Sequence, residues 1–209
     1  MSKPRTPDAP DVRTQVVSVA TRLIAAHGFD GTSLQDIADA VGVTKPAVLH
    51  HFPSKEHIRA AVLESILAHW RDALPRLLLA ASAGEDRFNA IYGELQRFFG
   101  ENPELARVLV REGLDRPAEL QKLLRGPVRP WLSAVAGYVQ AGTDHGRHPP
   151  DLDAEAYVIL ALQMVIFTSA MGPIVSVAIG ETDEARRRYH REVARIAKAA
   201  LFLPGVTDE

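Results

Sequence analysis

Apolar residues recur at helical spacing along almost the whole chain, and this pattern predicts an all-α protein. Between residues 11 and 27 they fall on one helix face, and Gly28 follows where a helix can end. Pro75 is expected to kink the long helix predicted over residues 54–81, or to end it near Leu74. No series of segments alternates with the period of two that half-buried strands show. Further helices are predicted over residues 54–81, 86–99, 104–112, 117–125, 128–145, 152–179 and 182–203.

The most informative local pattern is the stretch TSLQDIADAVGVTKPAVLHHFPSKEHI, residues 32–58. Four apolar residues at helical spacing precede Gly42, where the left-handed conformation that ends a helix is cheap. Thr44 can cap a second, short helix, and Pro46 in its first turn lacks only an amide that would be unpaired anyway. Ser54 is placed to cap a third helix. A helix, a tight Gly-containing turn and a second short helix make a helix-turn-helix, which indicates binding in the DNA major groove.

The surrounding sequence resembles the N-terminal domain of the tetracycline-repressor (TetR) family of transcriptional regulators. The similarity covers roughly residues 11–60, and beyond residue 60 the family shares architecture rather than motifs. It implies a three-helix helix-turn-helix domain over 11–53 and a C-terminal helical ligand-binding and dimerisation domain over 54–209. The first ten residues are polar and Pro-rich, which predicts a flexible N-terminal arm over 1–10. The matching motifs are Ala20 to Phe29, Gly31-Thr32-Ser33, Asp36-Ile37-Ala38, Gly42-Val43-Thr44-Lys45, His51-Phe52 and Ser54-Lys55-Glu56.

The resemblance also implies where DNA is contacted. Lys45 begins the short second helix and can donate to guanine or to a phosphate, while Pro46 and Ala47 offer apolar contact to a thymine methyl. His51 and Lys55 match positions that usually touch phosphates. The DNA-contacting residues are expected to be Thr32, Ser33, Gln35, Thr44, Lys45, Pro46, Ala47, Leu49, His50, His51 and Lys55.

Several of these residues have an equally good structural interpretation. Thr32 and Ser33 fit helix caps at least as well as phosphate contacts, and Thr32 with Gln35 fits a capping box. Leu49 is a departure from the family, which usually carries a Tyr there whose hydroxyl reaches a phosphate. His50 beside it can compensate for that contact or can simply be solvated.

Composition adds limits rather than a function. A hydrophobic content of 46% excludes disorder throughout, and the absence of cysteine excludes disulfides and thiolate metal sites. The net charge of −2 does not indicate nucleic-acid binding, so any attraction to phosphates depends on local cations, namely Lys3, Arg5, Lys45, Lys55 and Arg59. The first ten residues do not resemble a signal peptide, and the cytoplasm is therefore the expected compartment.

Residues 157–180 carry no charged side chain, a length that would span a bilayer. Interspersed polar residues and a Gly-Pro pair favour a helix buried on several faces instead, with no membrane partner. The last helix adds an apolar stripe beside a cationic one. The resemblance implies that the last two helices pair across a twofold axis, giving a homodimer on a palindromic DNA operator.

The resemblance implies that the C-terminal region holds a small-molecule effector of unknown identity, neutral or weakly acidic and apolar. The alternative for the same residues is ordinary core packing. Polar contacts could come from Tyr92, Gln96, Tyr138, Gln163 and Thr168. The proposed pocket lining comprises Trp70, Phe88, Tyr92, Phe98, Phe99, Trp131, Tyr138, Met164, Phe167 and Met171.

Other functions have weaker support. Asp144, His145, His148, Asp151 and Asp153 cluster near one loop and contain metal-binding residue types, yet the Gly- and Pro-rich context favours an ordinary loop. Recognisable catalytic motifs are absent, so neither an enzyme nor a cofactor is expected. The sequence predicts a repressor that an apolar small molecule releases from its operator. The alternative is an architectural or adaptor DNA-binding protein that needs no ligand.

Overall fold

The computed structural model describes residues 11–80 and 85–203, and the predicted arm over residues 1–10 lies outside them. The described chain is built from α-helices without strands, which confirms the all-α prediction. Residues Leu124–Val128 join α7 to α8 through a kink, because Gly126 there has the non-helical angles φ −93° and ψ −108°. The helices are Val12–His27 (α1), Leu34–Val41 (α2), Lys45–His51 (α3), Lys55–Ala80 (α4), Glu85–Glu101 (α5), Pro103–Asp115 (α6), Pro117–Leu123 (α7), Arg129–Asp144 (α8), Ala154–Ala170 (α9), Gly172–Ile179 (α10) and Asp183–Leu201 (α11).

The chain divides into two compact units, and the division falls inside α4, between Ile66 and Leu67. In the first unit α1 packs against both α2 and α3. Its core is apolar and fully enclosed. Burial of apolar side chains is the main favourable contribution to folding. The largest fully buried apolar side chains of this core are Val16, Ile24, Ile37, Val48, Ile58 and Val62.

The second unit is organised around α9, which packs against α5, α6, α8, α10 and α11. One apolar cluster joins α8, α9 and the end of α11 through Val139, Val158 and Leu201. Phe88 of α5 and Phe202, just after α11, pack against this cluster. A helix with so many neighbours needs apolar residues on the faces that meet them, and the one charged side chain of α9, Glu155, lies exposed in its first turn.

Pro75 does not end α4 near Leu74, so that part of the prediction is wrong. The helix continues to Ala80 with Pro75 inside it. A proline has no amide to donate to the preceding turn, but Arg71 and Pro75 are both exposed. Water therefore has access to the backbone at this turn, and the helix can continue past the proline.

The single helix predicted over residues 152–179 is also wrong, because the chain breaks at Met171. Pro173 lies in the first turn of α10. A proline is well accepted in the first turn of a helix but disfavoured in its interior, so a new helix begins at this position and α9 does not continue through it. Among the described residues no single helix is long and apolar enough to span a bilayer. α9 and α10 together reach that length and composition, but they are bent by 77° relative to each other.

Gly100 and Asn102 have roles that differ from those that the sequence pattern indicates. α5 runs through Gly100 to Glu101 rather than closing before it. Asn102 precedes α6 but does not cap it, because its Nδ2 donates a 2.8 Å hydrogen bond back to the carbonyl of Phe98. Asn102 thus satisfies the end of one helix instead of the start of the next. Pro103 does begin α6, as predicted.

Candidate nucleic-acid interface

A reciprocal pair of hydrogen bonds fixes the start of α2. The Ser33 hydroxyl accepts from the amide of Asp36 at 3.1 Å, and the Asp36 carboxylate accepts from the amide of Ser33 at 2.8 Å. These hydrogen bonds lower the pKa of the Asp36 carboxyl. The capping box is therefore Ser33 with Asp36, one residue later than the predicted pair of Thr32 and Gln35.

Thr32 lies under this cap rather than at the surface. Its side chain is only 1% exposed, and its hydroxyl donates a 2.8 Å hydrogen bond to the carbonyl of Gly28. A hydroxyl enclosed in this way has no route to a phosphate, so we leave Thr32 out of the interface. The neighbouring Ser33 remains exposed, although its oxygen already serves as the cap.

The turn between α2 and α3 follows the predicted pattern closely. Gly42 adopts φ 81° and ψ 30°, the left-handed conformation that residues with a Cβ rarely accept. Its amide and that of Val43 both donate to the carbonyl of Ala38, which closes α2. Thr44 then caps α3 by accepting from the amide of Ala47, and Pro46 lies in the first turn. Local hydrogen bonds thus set the angle between the two helices.

α3 presents one face to the core and the other to solvent. Val48 is fully buried and Phe52, just after the helix, is 3% exposed, so these two side chains anchor α3 in the first unit. The exposed face carries Lys45, Pro46, Leu49 and His50, in addition to the cap residue Thr44, while Ala47 and His51 are half-buried. This division leaves the outward face free for contacts with another molecule.

Two of these exposed residues bear on the expected family pattern. Leu49 is 37% exposed, which means that its side chain is not committed to the core. The rings of His50 and His51 meet edge to face with centroids 5.4 Å apart. Gln35 is also exposed, but its Nε2 donates a 2.7 Å hydrogen bond to the carboxylate of Asp39 on the same helix. Gln35 would have to leave that carboxylate to contact a base.

Lys55 lies where the resemblance places a phosphate contact, yet its ammonium already has partners within the first unit. Nζ donates a 2.8 Å hydrogen bond to the carbonyl of Phe29 and lies 4.3 Å from the centroid of the Phe29 ring. Similarly, the guanidinium carbon of Arg13 lies 5.1 Å from the ring of Phe52. The sequence did not reveal either contact, because the partners are 26 and 39 positions apart and no local pattern joins them.

The aromatic residues expected to line an effector pocket form two separate groups in the second unit. Phe88 and Tyr92 of α5 stack with ring centroids 5.1 Å apart. Phe98 makes an edge contact with Phe99 at 5.0 Å and with Trp70 at 5.8 Å. Trp131, Met164 and Met171 are each half-buried. Both groups lie on elements that pack in the interior, as core or lining residues would.

Two members of the expected lining are not enclosed. Tyr138 is 42% exposed, with the guanidinium of Arg87 placed 4.5 Å from its ring, and Phe167 is 57% exposed. Helical periodicity indicates which residues share a helix face, but it does not say which neighbour covers that face. We leave both residues out of a buried lining.

Tyr92 is the most unusual polar group in the second unit. Its side chain is 4% exposed, and its hydroxyl has no hydrogen-bond partner among the described residues. Burial raises the pKa of Tyr92 to about 12, so the hydroxyl stays protonated and can donate. The nearby Tyr157 differs, because its hydroxyl donates a 2.9 Å hydrogen bond to the carbonyl of Ala197. An unpaired buried hydroxyl costs about 1–3 kcal/mol, so Tyr92 is suited to a partner from outside the chain.

The acidic and histidine residues near residue 148 serve the fold. His148 is 5% exposed and its ring meets Phe202 edge to face at 5.0 Å, while Asp153 caps α9. His145 Nδ1 lies 2.6 Å from the carbonyl of Ala141, and Asp144 accepts from Gln140. In residues 11–80 and 85–203, no group of three or more such side chains is placed to hold a metal ion.

Four of the five arginines of α11 are paired with carboxylates of the same helix. Arg186 contacts Asp183 at 3.0 Å, and Arg187 and Arg191 both contact Glu184. Exposed pairs of this kind contribute little individually to stability, but they neutralise a cationic stripe that would otherwise attract phosphates. This arrangement matches a solvated helix face rather than a second nucleic-acid surface.

A capped helix-turn-helix with an exposed second helix defines the class of DNA-binding transcriptional regulators. Residues 16–62 match the family described as bacterial regulatory proteins of the tetR family. The chain belongs to this TetR family, and it is a DNA-binding transcriptional regulator, not an enzyme.

Similar proteins extend the match beyond the first unit. The transcriptional regulator RutR of Escherichia coli is 31% identical over 133 residues, which make up 61% of each chain. The regulator EthR of Mycolicibacterium smegmatis is 24% identical over 151 residues, 71% of this chain and 68% of that protein. The solved structure of the ketosteroid transcriptional regulator KstR2 of Mycobacterium tuberculosis superposes with a TM-score of 0.75 at 15% identity. That match covers 94% of this chain and 97% of KstR2.

Proposed function

We propose that this regulator is a homodimeric repressor that binds a palindromic operator and leaves it when a neutral apolar small molecule binds. The observation that carries the proposal is the outward face of α3. Lys45, Pro46, Leu49 and His50 are exposed there, while Val48 holds the helix in the core. A short helix fixed in this way can enter a major groove without rearrangement of the unit that carries it.

The proposed contacts divide into base contacts and backbone contacts. Lys45 begins α3 and is exposed, so it can reach guanine or a phosphate, with Pro46 and Ala47 beside it for a thymine methyl. Ser33, Thr44, His50 and His51 supply polar groups for the phosphates on either side. Gln35 can add a base contact if it leaves Asp39. Operator binding requires access to the chromosome, which makes the cytoplasm the proposed compartment.

Dimerisation is supported by a set of exposed apolar side chains on the last three helices. Such side chains are costly to leave in water, and a contiguous apolar surface usually marks an interface. One recognition helix reads only a few base pairs, so a twofold partner would supply the second half-site. The exposed set comprises Leu160 and Phe167 on α9, Ile174 and Val177 on α10, and Ile196 on α11.

Effector binding is supported by the unpaired hydroxyl of Tyr92 beside Phe88. A protonated phenol among aromatic rings favours an apolar molecule with an uncharged acceptor, such as a ketone or ester carbonyl. The structural neighbour KstR2 is described as a ketosteroid transcriptional regulator, and ketosteroids are apolar molecules that carry a ketone carbonyl. A bound effector would favour a dimer whose recognition helices no longer match successive major grooves, about 34–36 Å apart.

Selection of bound sequences from random double-stranded DNA tests the core of the proposal. The purified protein should enrich a palindrome with half-sites about one helical turn apart. Progesterone, methyl palmitate and palmitic acid would then be added as effector probes. We expect a neutral carbonyl probe to raise the melting temperature and to lower operator binding, and Tyr92→Phe to weaken both effects. An operator that is bound equally with every probe, without any thermal shift, would favour the ligand-independent alternative.

A further inference from the structure

Two cation–aromatic contacts bracket the connection between the recognition helix and α4. α3 ends at His51 and α4 begins at Lys55, so the connecting segment is residues 52–54. Phe52, at the start of this segment, lies under Arg13 from the first turn of α1. Lys55, at its other end, is bound to Phe29, two residues beyond the end of α1.

The contact between Lys55 and Phe29 has two components. Its Nζ donates a 2.8 Å hydrogen bond to the Phe29 carbonyl, and the same ammonium lies 4.3 Å from the ring centroid, within the range of a cation–π interaction. Phe29 is 6% exposed and Lys55 is half-buried, so both components act in a partly desolvated place. Arg59, one turn later in α4, has its guanidinium carbon 5.9 Å from the same ring.

We infer that Lys55 is a positioning residue, which holds the first turn of α4 against the segment after α1 and thereby fixes the orientation of α3. The segment that follows α3 is only three residues long, so a shift at Lys55 is passed to the end of the recognition helix. The ammonium gives one of its three N–H donors to the Phe29 carbonyl and lies against the ring, so its position is set by Phe29 even without DNA. In this inference Lys55 contributes to operator recognition through the orientation of α3 rather than through its own charge on DNA. This inference rests on the assigned DNA-binding function.

The variant Lys55→Met tests this assignment, because it keeps a long unbranched side chain and removes the ammonium. The Phe29 carbonyl retains a second donor, the amide of Thr32 at 3.2 Å, so the first unit should still fold. Operator affinity and affinity for unrelated DNA would be measured over a range of salt concentrations, alongside thermal melting. Lys45→Met is the matched control, since Lys45 is exposed on α3 itself.

We expect Lys55→Met to weaken operator binding roughly threefold to tenfold, the equivalent of one net hydrogen bond. Its salt dependence and its affinity for unrelated DNA should remain those of the wild type. Lys45→Met should instead change the preference among operator sequences or lower the salt dependence. A decrease of about one unit in the salt slope per half-site for Lys55→Met, with unchanged melting, would overturn the inference, because it is the signature of a lost phosphate contact.

A double-mutant cycle separates positioning from a simple loss of stability. Phe29→Leu removes the ring but keeps the backbone carbonyl. The effects of Phe29→Leu and Lys55→Met on the ratio of operator to unrelated-DNA binding should therefore be partly non-additive, because both variants lose the cation–ring contact. Additive effects on that ratio would contradict the inference. The sensitivity of the Lys45→Met control to operator sequence tests DNA recognition itself, so failure of the positioning role and failure of the DNA-binding assignment would look different.

Discussion

The imidazole of His148 lies directly against the backbone of Gly142, and a Cβ built on Gly142 would overlap the ring. Both residues are buried, Gly142 in the last turn of α8 and His148 in the loop that follows. The close approach explains why a glycine stands inside a helix, where it otherwise costs stability relative to alanine. The loop returns over α8 through this contact and through the edge of Phe202.

Gly142→Ala should therefore destabilise the protein by about 1–3 kcal/mol, the usual cost of overpacking a buried site. Thermal or urea unfolding measures the change. Gly137→Ala is the control on the same helix, because Gly137 is exposed and its Cβ would meet nothing within 4 Å. That substitution should leave stability unchanged or increase it by up to about 1 kcal/mol. Equal behaviour of the two variants would contradict the assigned packing of His148.

Lys45→Ala should reduce discrimination between the selected operator and unrelated DNA by about 1–3 kcal/mol for each base contact that is lost. The melting temperature should not change, because Lys45 is exposed on α3. Fluorescence anisotropy with labelled operator measures the effect. Lys122→Ala removes an equally exposed cation from the second unit and should bind DNA as the wild type does. Wild-type binding by Lys45→Ala as well would mean that the recognition face is wrongly assigned.

Leu49→Tyr should tighten operator binding by about 0.5–1.5 kcal/mol per half-site, the net contribution of a typical hydrogen bond. Leu49 is 37% exposed, so a larger ring can be accommodated without repacking the core. Leu49→Phe is the matched control, since it adds the ring without the hydroxyl. If the Phe variant binds as tightly as the Tyr variant, the gain does not come from a phosphate hydrogen bond.

Phe167→Glu should convert the proposed dimer into monomers and abolish tight operator binding, while the first unit stays folded. Phe167 is 57% exposed in the single chain, so a charge there harms an interface more than the interior. Ala170 is less suitable, because it is only 8% exposed and a larger residue would disrupt its own unit. Light scattering measures the assembly, with Ser133→Glu on the exposed face of α8 as control. A monomeric wild type would remove the basis for two half-sites.

Stability should depend on pH through His190. Burial and, to a smaller extent, the nearby Arg186 lower the pKa of His190 in the folded protein. Unfolding restores an ordinary imidazole, with a pKa of about 6.5, so the unfolded chain binds the proton more readily. The free energy of unfolding should therefore fall as the pH falls below about 6.5, because protons then favour the unfolded state.

His190→Gln should make this dependence shallower between pH 7 and pH 5, as measured by urea unfolding. The backbone carbonyl of His190 keeps its 2.8 Å hydrogen bond from Gln96 Nε2 in that variant. His50→Gln, which removes an exposed imidazole from α3, is the control for the loss of any histidine. An identical slope in the wild type and His190→Gln would show that other groups determine the acid sensitivity.

The helix-turn-helix was predictable because its signals are local. Gly42, Thr44 and Pro46 each act within one turn of themselves, and each has the role that the sequence indicated. The sequence predicts the cap of α2 one residue too early, because Thr32 and Ser33 can both accept from a helix amide. Burial of the Thr32 side chain decides between them, and burial depends on the packing of α1.

The remaining differences come from contacts between distant parts of the chain. Lys55 looks like a free cation in the sequence, and only the fold brings Phe29 to it. Asn102 carries a helix-starting signal, but its side-chain amide donates to the carbonyl of Phe98 instead. Pro75 carries a helix-ending signal, but α4 continues past it at an exposed position. Tyr138 and Phe167 share the periodicity of the core residues, but no neighbour in the described chain encloses them. Periodicity indicates which residues share a helix face, whereas the residues that cover this face depend on the tertiary structure.

The capping of α2 and α3 has a consequence for how this regulator can diverge. The groups that hold the motif together are Ser33, Asp36, Gly42, Thr44 and the buried Val48, and apart from Ser33 and Thr44 none of them belongs to the proposed interface. Lys45, Pro46, Leu49 and His50 can therefore be exchanged at little cost to folding. A duplicated gene could acquire a new operator by a few such exchanges while the scaffold stays intact, and a laboratory library confined to these four positions would explore the same space.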